Sequence, residues 1–358
     1  MKTGIHGAVG IALSLLSASC LNDDPMKLGY TGYQPLGQND GWKVSTPAAE
    51  NMDAGLLDKA YNLVYSEERF VMARSLLVLR NGKLVGEAYP HDLKDAGQLQ
   101  NIQSCTKSFT SILAGIALSR GYLDSLSGRF SDVMPEHFVN YPDKRDITIE
   151  HALTMRAGIA FDDGDHTYDF YHTSGSSVEF VLNLPKNYPP GTVFHYNDGV
   201  PQFISAAIQN QYGKPLSAFA DENLFKPLHI TDWKWESAKD GTTFGAVSLF
   251  LKPRDMAKFG QMLLNYGSWN GLRVVDSSWI AMATRPMVTT SSPGASYGYY
   301  FWIYPAYPAY AASGHGGQYI FVAPSNRLVI VYTAWPYSSG EMFDDFTEIA
   351  DIVVRSCH

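Results

Sequence analysis

The apolar positions of this chain follow two rhythms. Near both ends lie short runs with strand character, and the long middle repeats its apolar residues at helical spacing. Leu56, Leu57, Ala60, Leu63 and Val64 share one face and predict a helix over 54–67. Ser75 to Arg80 and Lys83 to Tyr89 then read as two strands joined by Asn81-Gly82, a pair suited to a type I′ turn because both central positions need positive φ. Residues 104–120 predict a helix with Phe109, Ile112, Leu113 and Ile116 buried, closed by Gly121. Further helices are expected at 149–155, 176–184, 254–266 and 277–284. Tyr319 to Val322 and Arg327 to Tyr332 flank Ala323-Pro324-Ser325-Asn326 as a second hairpin, and 343–354 closes the chain as an amphipathic helix with Phe343, Phe346, Ile349, Ala350 and Val353 on one side.

Strands with a helix at each end, and helices between, predict an α+β fold: an antiparallel sheet flanked by helices, into which a helical region is inserted. The expected division is a main domain over 52–358, with a helical subdomain at roughly 104–215 between sheet segments 52–103 and 216–358. No internal repeat or low-complexity segment interrupts it. At 358 residues and 45% hydrophobic, the chain can bury a core without staples. Charged residues are only 17% and the net charge is −8 without any basic run, which argues against a nucleic-acid partner. The 22 tyrosines suit a cleft lined with rings and hydroxyls.

The first residues carry a separate message. Met1-Lys2 precedes an apolar stretch, Gly7 to Leu16, and then Ser17-Ala18-Ser19-Cys20. A basic start, a short apolar core and small residues mark an export signal over 1–19, and the run is about half the roughly 20 residues a membrane span needs. Leu16 to Cys20 also resembles a bacterial lipobox, in which Cys20 would become the acylated first residue; ordinary cleavage with Cys20 incidental is the alternative. The expectation is an exported protein, periplasmic or held at the outer membrane only by that lipid, with the polar stretch 20–51 as a tether. Cys105 and Cys357 remain, without Cys-x-x-Cys or Cys/His spacing for zinc. A disulfide between them stays open, and a buried, free Cys105 is the preferred reading.

Ser104-Cys105-Thr106-Lys107 is the only Ser-x-x-Lys in the chain. On a helix, residues three apart share a face, so the Lys107 amine can reach the Ser104 hydroxyl. Ser104 as a mere helix cap and Lys107 as a solvated lysine is the competing reading. Two further segments accompany it: Phe194-His195-Tyr196-Asn197-Asp198-Gly199 after the turn Pro189-Pro190-Gly191, and His315-Gly316-Gly317-Gln318 leading into the 319–322 strand. In this order the three resemble the serine β-lactamase and penicillin-binding-protein superfamily. The match is closest to its β-lactamase-related serine hydrolases: class C-like enzymes, family VIII-type esterases and 6-aminohexanoate-dimer hydrolase-like amidases. Ile147 to Gly158, Pro253 to Gly260 and Tyr297 to Trp302 resemble that branch too, so the likeness runs from about Leu56 to the C-terminus.

The resemblance implies a β-lactamase/transpeptidase-like fold and a serine hydrolase needing no metal or cofactor. Ser104 would be the nucleophile, Lys107 and Tyr196 the proton-transfer pair, and the amides of Ser104 and Gln318 the oxyanion hole. Asp198 stands where the family usually carries Asn, and a carboxylate there would keep Lys107 charged and Tyr196 as the principal base. Alternatively, Asn197 faces the cleft and Asp198 turns outward. His315 stands where penicillin-acting relatives carry Lys, which favours a neutral ester, amide or peptide-like small molecule over an anionic one. Gly316 and Gly317 would let the backbone approach the substrate. The alternatives are a D,D-peptidase or β-lactamase and, from another class, a non-catalytic envelope binding protein. Asp162-Asp163-Gly164-Asp165-His166, with Asp169 and His172, fits no metal pattern and reads as a solvated loop beside the active site. The aromatic tract 300–310 could wall the substrate or cap the core.

Overall fold

The computed structural model describes residues 27–38, 40–337 and 343–358. The proposed signal and Cys20 lie outside them. In chain order the elements that matter here are α1 (Ala54–Ser66), β1 (Ala73–Arg80), β2 (Lys83–Ala88), α2 (Cys105–Ser119), α3 (Asp163–His172), α4 (Pro201–Tyr212), α5 (Pro253–Leu264), β3 (Val288–Thr289), β4 (Ser296–Tyr297), β5 (Trp302–Tyr304), β6 (Ala309–Gly314), β7 (Gln318–Ala323), β8 (Leu328–Ala334) and α6 (Phe343–Arg355).

The eight strands form one antiparallel sheet in the order β2-β1-β8-β7-β6-β5-β4-β3. The first hairpin turns as its sequence requires, with φ of 54° at Asn81 and 78° at Gly82. β1 pairs with β8, Leu77 opposite Val331 and Leu79 opposite Val329, so the beginning and the end of the domain are joined within the sheet, next to its β2 edge. Strand side chains alternate between faces. On one face Leu76, Val78, Ile330 and Tyr332 meet Leu57, Tyr61 and Val64 of α1 and Ile349 and Val353 of α6. On the other, Leu77, Leu79, Val329 and Val331 join a larger cluster with Phe109 and Ile112 of α2, Met256 and Phe259 of α5, and Phe203 and Ile204 of α4. Both faces are covered, which explains why these strands are apolar throughout rather than alternating.

Between β2 and β3 the chain is mainly helical, and its core is continuous with that of the sheet face it covers. The predicted helices form at Ile149–Leu153, Ser177–Asn183 and Ser277–Ala283 as well as in α1, α2, α5 and α6.

Two expectations are corrected. The stretch expected as a tether is packed from residue 27 onward: Val44 bridges Leu84, and Lys27 Nζ donates to the Val64 carbonyl at 3.0 Å. Its apolar anchors, Tyr30, Tyr33, Leu36 and Trp42, are too sparse to show a period, so the polar composition concealed the packing. The acidic segment after Phe161 is not a loop but α3, capped by Asp162, whose side chain accepts from the Gly164 and Asp165 amides. Of the described residues, Cys105 and Cys357 are free thiols, and Cys105 is buried.

Candidate active site

The turn that presents Ser104 is held by both local and remote parts of the chain. Gln103 precedes it with a φ of 49°, a left-handed conformation uncommon for a residue with a side chain. That conformation is fixed from both sides. The Gln103 amide donates to Asn101 Oδ1 at 2.9 Å, and its side-chain Nε2 donates to the Pro336 carbonyl at 2.9 Å. The Ile102 amide donates to the Leu249 carbonyl at 3.0 Å, tying the segment to the strand Leu249–Leu251. Ser104 occupies the cap position of α2, yet its side chain makes no capping bond. Its hydroxyl instead accepts from Lys107 Nζ at 3.0 Å, which removes the reading of Ser104 as a mere cap.

Lys107 is almost wholly buried and donates to Asp198 Oδ1 at 2.5 Å and to the Ala246 carbonyl at 3.5 Å. Its ammonium lies 4.7 Å from the centre of the Tyr196 ring. Tyr196 is placed by its neighbour: the His195 amide donates to the Met155 carbonyl at 2.8 Å, and His195 Nε2 meets the Phe161 carbonyl at 2.7 Å. Asn197 turns away from the cleft, its Nδ2 donating to the His195 carbonyl and its Oδ1 accepting from the Val200 amide. Asp198, not Asn197, therefore faces Lys107.

Burial opposes the charge on Lys107, but the carboxylate of Asp198, with Tyr196 and Asp163 behind it, outweighs that cost and raises its pKa above the ordinary lysine value. Tyr196 behaves otherwise. Burial raises its pKa above that of a free phenol even though Lys107 and Ser104 pull it down. Both groups are thus pushed towards keeping their protons, which works against the expected resting phenolate on Tyr196.

Helix α3 supplies what sequence reasoning missed. Asp163, Thr167 and Tyr171, one helical turn apart, line the cleft. Tyr171 Oη donates to Asp198 Oδ2 at 2.8 Å, and Asp163 Oδ1 accepts from the Asp198 amide at 2.8 Å. Burial and the adjacent Asp198 carboxylate push the Asp163 carboxyl up to about 6. The i, i+4, i+8 spacing was legible in the sequence, but the glycine and four acidic residues between 162 and 169 masked it as a loop.

The cleft has a volume of about 1140 Å³. Its walls include Asn101, Phe244, Glu236, Phe250, Trp302, Ser313, Gly314 and His315. No lysine or arginine is among the described residues lining it. Of the aromatic tract, Trp302 faces the cleft 5.7 Å from the Tyr196 ring, whereas Tyr304 and Tyr307 pack on Phe321 on the opposite side of the sheet. The tract is both wall and cap.

The remaining predicted residues do not all converge. His315 is exposed at the cleft rim. Gly316 and Gly317 do not line the cleft; they have φ of 73° and 86° and make the tight turn from β6 to β7. A Cβ at Gly316 would lie 2.6 Å from the Trp335 carbonyl oxygen, so close packing rather than substrate approach requires glycine there. Gln318 is fully buried, its side chain donating to the Ala334 carbonyl at 2.7 Å, and is likewise absent from the cleft wall. β6 instead brings Ser313, Gly314 and His315 there; a Cβ at Gly314 would lie 2.5 Å from the Ile102 carbonyl, immediately before the Ser104 turn.

Residues 71–353 match the model of the family described as Beta-lactamase. The chain belongs to the beta-lactamase family. An uncharacterized protein of Alkalihalophilus pseudofirmus is 22% identical over 305 residues, covering 77% of this chain and 87% of its own. Among solved structures, a family VIII carboxylesterase superimposes with a TM-score of 0.69 at 18% identity, over 84% of this chain and 97% of its own. A penicillin-binding protein homolog from Caulobacter crescentus gives 0.67 at 14% identity, over 87% and 98%. At these identities the two structures are evidence for the fold alone.

Proposed function

We propose that this beta-lactamase-family hydrolase cleaves a neutral carboxylic ester or amide through an acyl-Ser104 intermediate. The observation that carries the reading is the contact chain Ser104 Oγ, Lys107 Nζ, Asp198 Oδ1, with steps of 3.0 and 2.5 Å, opening into a cleft large enough for a small molecule. As Ser104 attacks the substrate carbonyl, its proton passes to Lys107 while Lys107 releases one of its own to Asp198. Asp198 is the store for the proton and Lys107 the relay. Tyr196, holding its proton at rest, donates it to the leaving group, and the proton on Asp198 restores it through Lys107. The Ser104 amide, with an amide of the 313–315 edge in place of the Gln318 amide, receives the oxyanion.

The substrate class follows from charge. A penicillin or a peptide terminus carries a carboxylate, and the described residues of the cleft wall offer it no lysine or arginine while presenting Asp163, Asp198 and Glu236. Short neutral esters are therefore expected to be cleaved at least about tenfold faster, in kcat/KM, than their succinyl counterparts or a chromogenic cephalosporin. The reverse ratio would move the protein to the D,D-peptidase or β-lactamase reading. Ser104→Ala is expected to lose turnover, fluorophosphonate labelling and the acyl adduct seen by mass spectrometry. Failure of the folded native protein to label, with no ester turnover, would favour a non-catalytic binding protein. We further infer export and acylation at Cys20 from the 1–20 sequence; incorporation of labelled palmitate, lost in Cys20→Ala, is the corresponding test.

A further inference from the structure

Helix α3 touches the proton store from two sides, and its two contacts differ in kind. Tyr171 donates a hydrogen bond to Asp198 Oδ2 at 2.8 Å, which stabilises the carboxylate. Asp163 accepts the Asp198 backbone N–H at 2.8 Å, and burial with the adjacent carboxylate favours a proton on Asp163 itself. The other groups facing Asp198 are fixed. Lys107 reaches it from α2 and Tyr196 from two residues upstream, while Tyr297 of β4 stands beyond Tyr196 with ring centres 6.0 Å apart. Tyr171 is itself held on Phe244, edge to face at 4.8 Å, so its hydroxyl is aimed rather than roaming.

We propose that Tyr171 is a positioning residue that sets the pH at which the Lys107–Asp198 pair can take the serine proton. It acts through Asp198 and need not touch the substrate. The inference rests on Asp198 being the proton store, and its sign is explicit. Protonated Asp198 cannot receive the proton from Lys107, so activity falls on the acid side. Removing the Tyr171 hydroxyl makes the carboxylate less stable and moves that acid limb to higher pH. Asp163, pushed up to about 6 beside the ionised Asp198, takes its proton first and leaves the limb in place when it is replaced by asparagine. Loosened packing would lower activity at every pH and would not displace the limb.

The test is the pH dependence of kcat and kcat/KM for a short neutral p-nitrophenyl ester, in the native protein, Tyr171→Phe, Asp163→Asn and each combined with Asp198→Asn. Phenylalanine keeps the ring on Phe244, and asparagine keeps an acceptor for the Asp198 amide. Expected are an upward shift of about one pH unit in Tyr171→Phe and no shift in Asp163→Asn. The KM at the optimum is expected to stay near its native value, and the Tyr171→Phe shift should not survive in the Asp198→Asn background. No shift in Tyr171→Phe, an equal shift in Asp163→Asn, or a shift that persists without Asp198 would overturn the proposal. If Ser104→Ala turned over the ester as fast as the native protein, the hydrolase reading itself would fall; loss in Ser104→Ala without the Tyr171→Phe shift would remove only this inference.

Discussion

Asp198 stands where the family resemblance leads one to expect asparagine, and that single carboxylate favours the charged form of Lys107. An asparagine would leave Lys107 buried beside a neutral amide, where desolvation alone would favour the amine. With the carboxylate 2.5 Å away the ammonium is favoured instead. A different residue-scale constraint operates at Gly86 in β2. A Cβ there would fall 2.5 Å from the Tyr61 hydroxyl, in a position where α1 presses its ring on the strand. Gly86→Ala is expected to destabilise the fold by about 1–3 kcal/mol through overpacking, read as a lower urea midpoint at unchanged slope, with activity per folded molecule retained.

At the scale of elements, side chains that look like ordinary surface charges in the sequence fasten segments together. Arg254 at the start of α5 donates to both oxygens of Glu87 in β2, at 2.7 and 2.6 Å, and to Asp40 at 2.8 Å and the Leu36 carbonyl at 2.7 Å. Helix, sheet edge and N-terminal segment thus meet on one guanidinium. The Glu87 side chain is fully buried, so Arg254→Met would strand its charge and cost about 3–5 kcal/mol, visible as a drop in the urea midpoint. Glu50 plays a similar part for the first hairpin, accepting from Lys83, Ser45 and Asn81. Those hydrogen bonds, from Lys83 first, hold its carboxyl down at about 2. A carboxyl whose folded pKa is depressed contributes stability above its unfolded value near 4.3, and that contribution is lost as pH falls towards about 2. Glu50→Gln should therefore lose stability at pH 6 relative to the native protein and converge with it near pH 2, in paired denaturant titrations.

The whole molecule is built so that its parts depend on one another. β1 pairs with β8, and the core of the helical region runs without a break onto the sheet. No separate cluster exists for the helical insertion among the described residues, so it is expected to unfold with the sheet. Calorimetry should show one transition whose van't Hoff and calorimetric enthalpies agree; two resolved transitions would show the insertion to be an independent unit.

Much of this fold was legible in the chain because local physics specified it. The period of Leu56 to Val64 placed α1, Asn81-Gly82 placed the first hairpin, and the strands 319–322 and 327–332 appeared with their turn. The Ser104, Lys107 and Tyr196 motifs identified three residues that the structure brings to one point. Other features required the three-dimensional arrangement, for identifiable reasons. A side chain's partner on a distant segment leaves no periodic trace, so the contacts of Asp163 and Tyr171 with Asp198 are visible only in the fold. A polar segment can pack through a few anchors, which is why residues 27–51 resembled a tether. Which residues of a strand border a cleft is set by strand pairing, so Gln318 lies buried in the sheet while Ser313, Gly314 and His315 line the cleft. The sequence by itself determined which elements form and which reactive groups are present, because both depend on short-range pattern and chemistry. Only the tertiary structure decided which protons those groups keep, because that depends on burial and on charges supplied by remote parts of the chain.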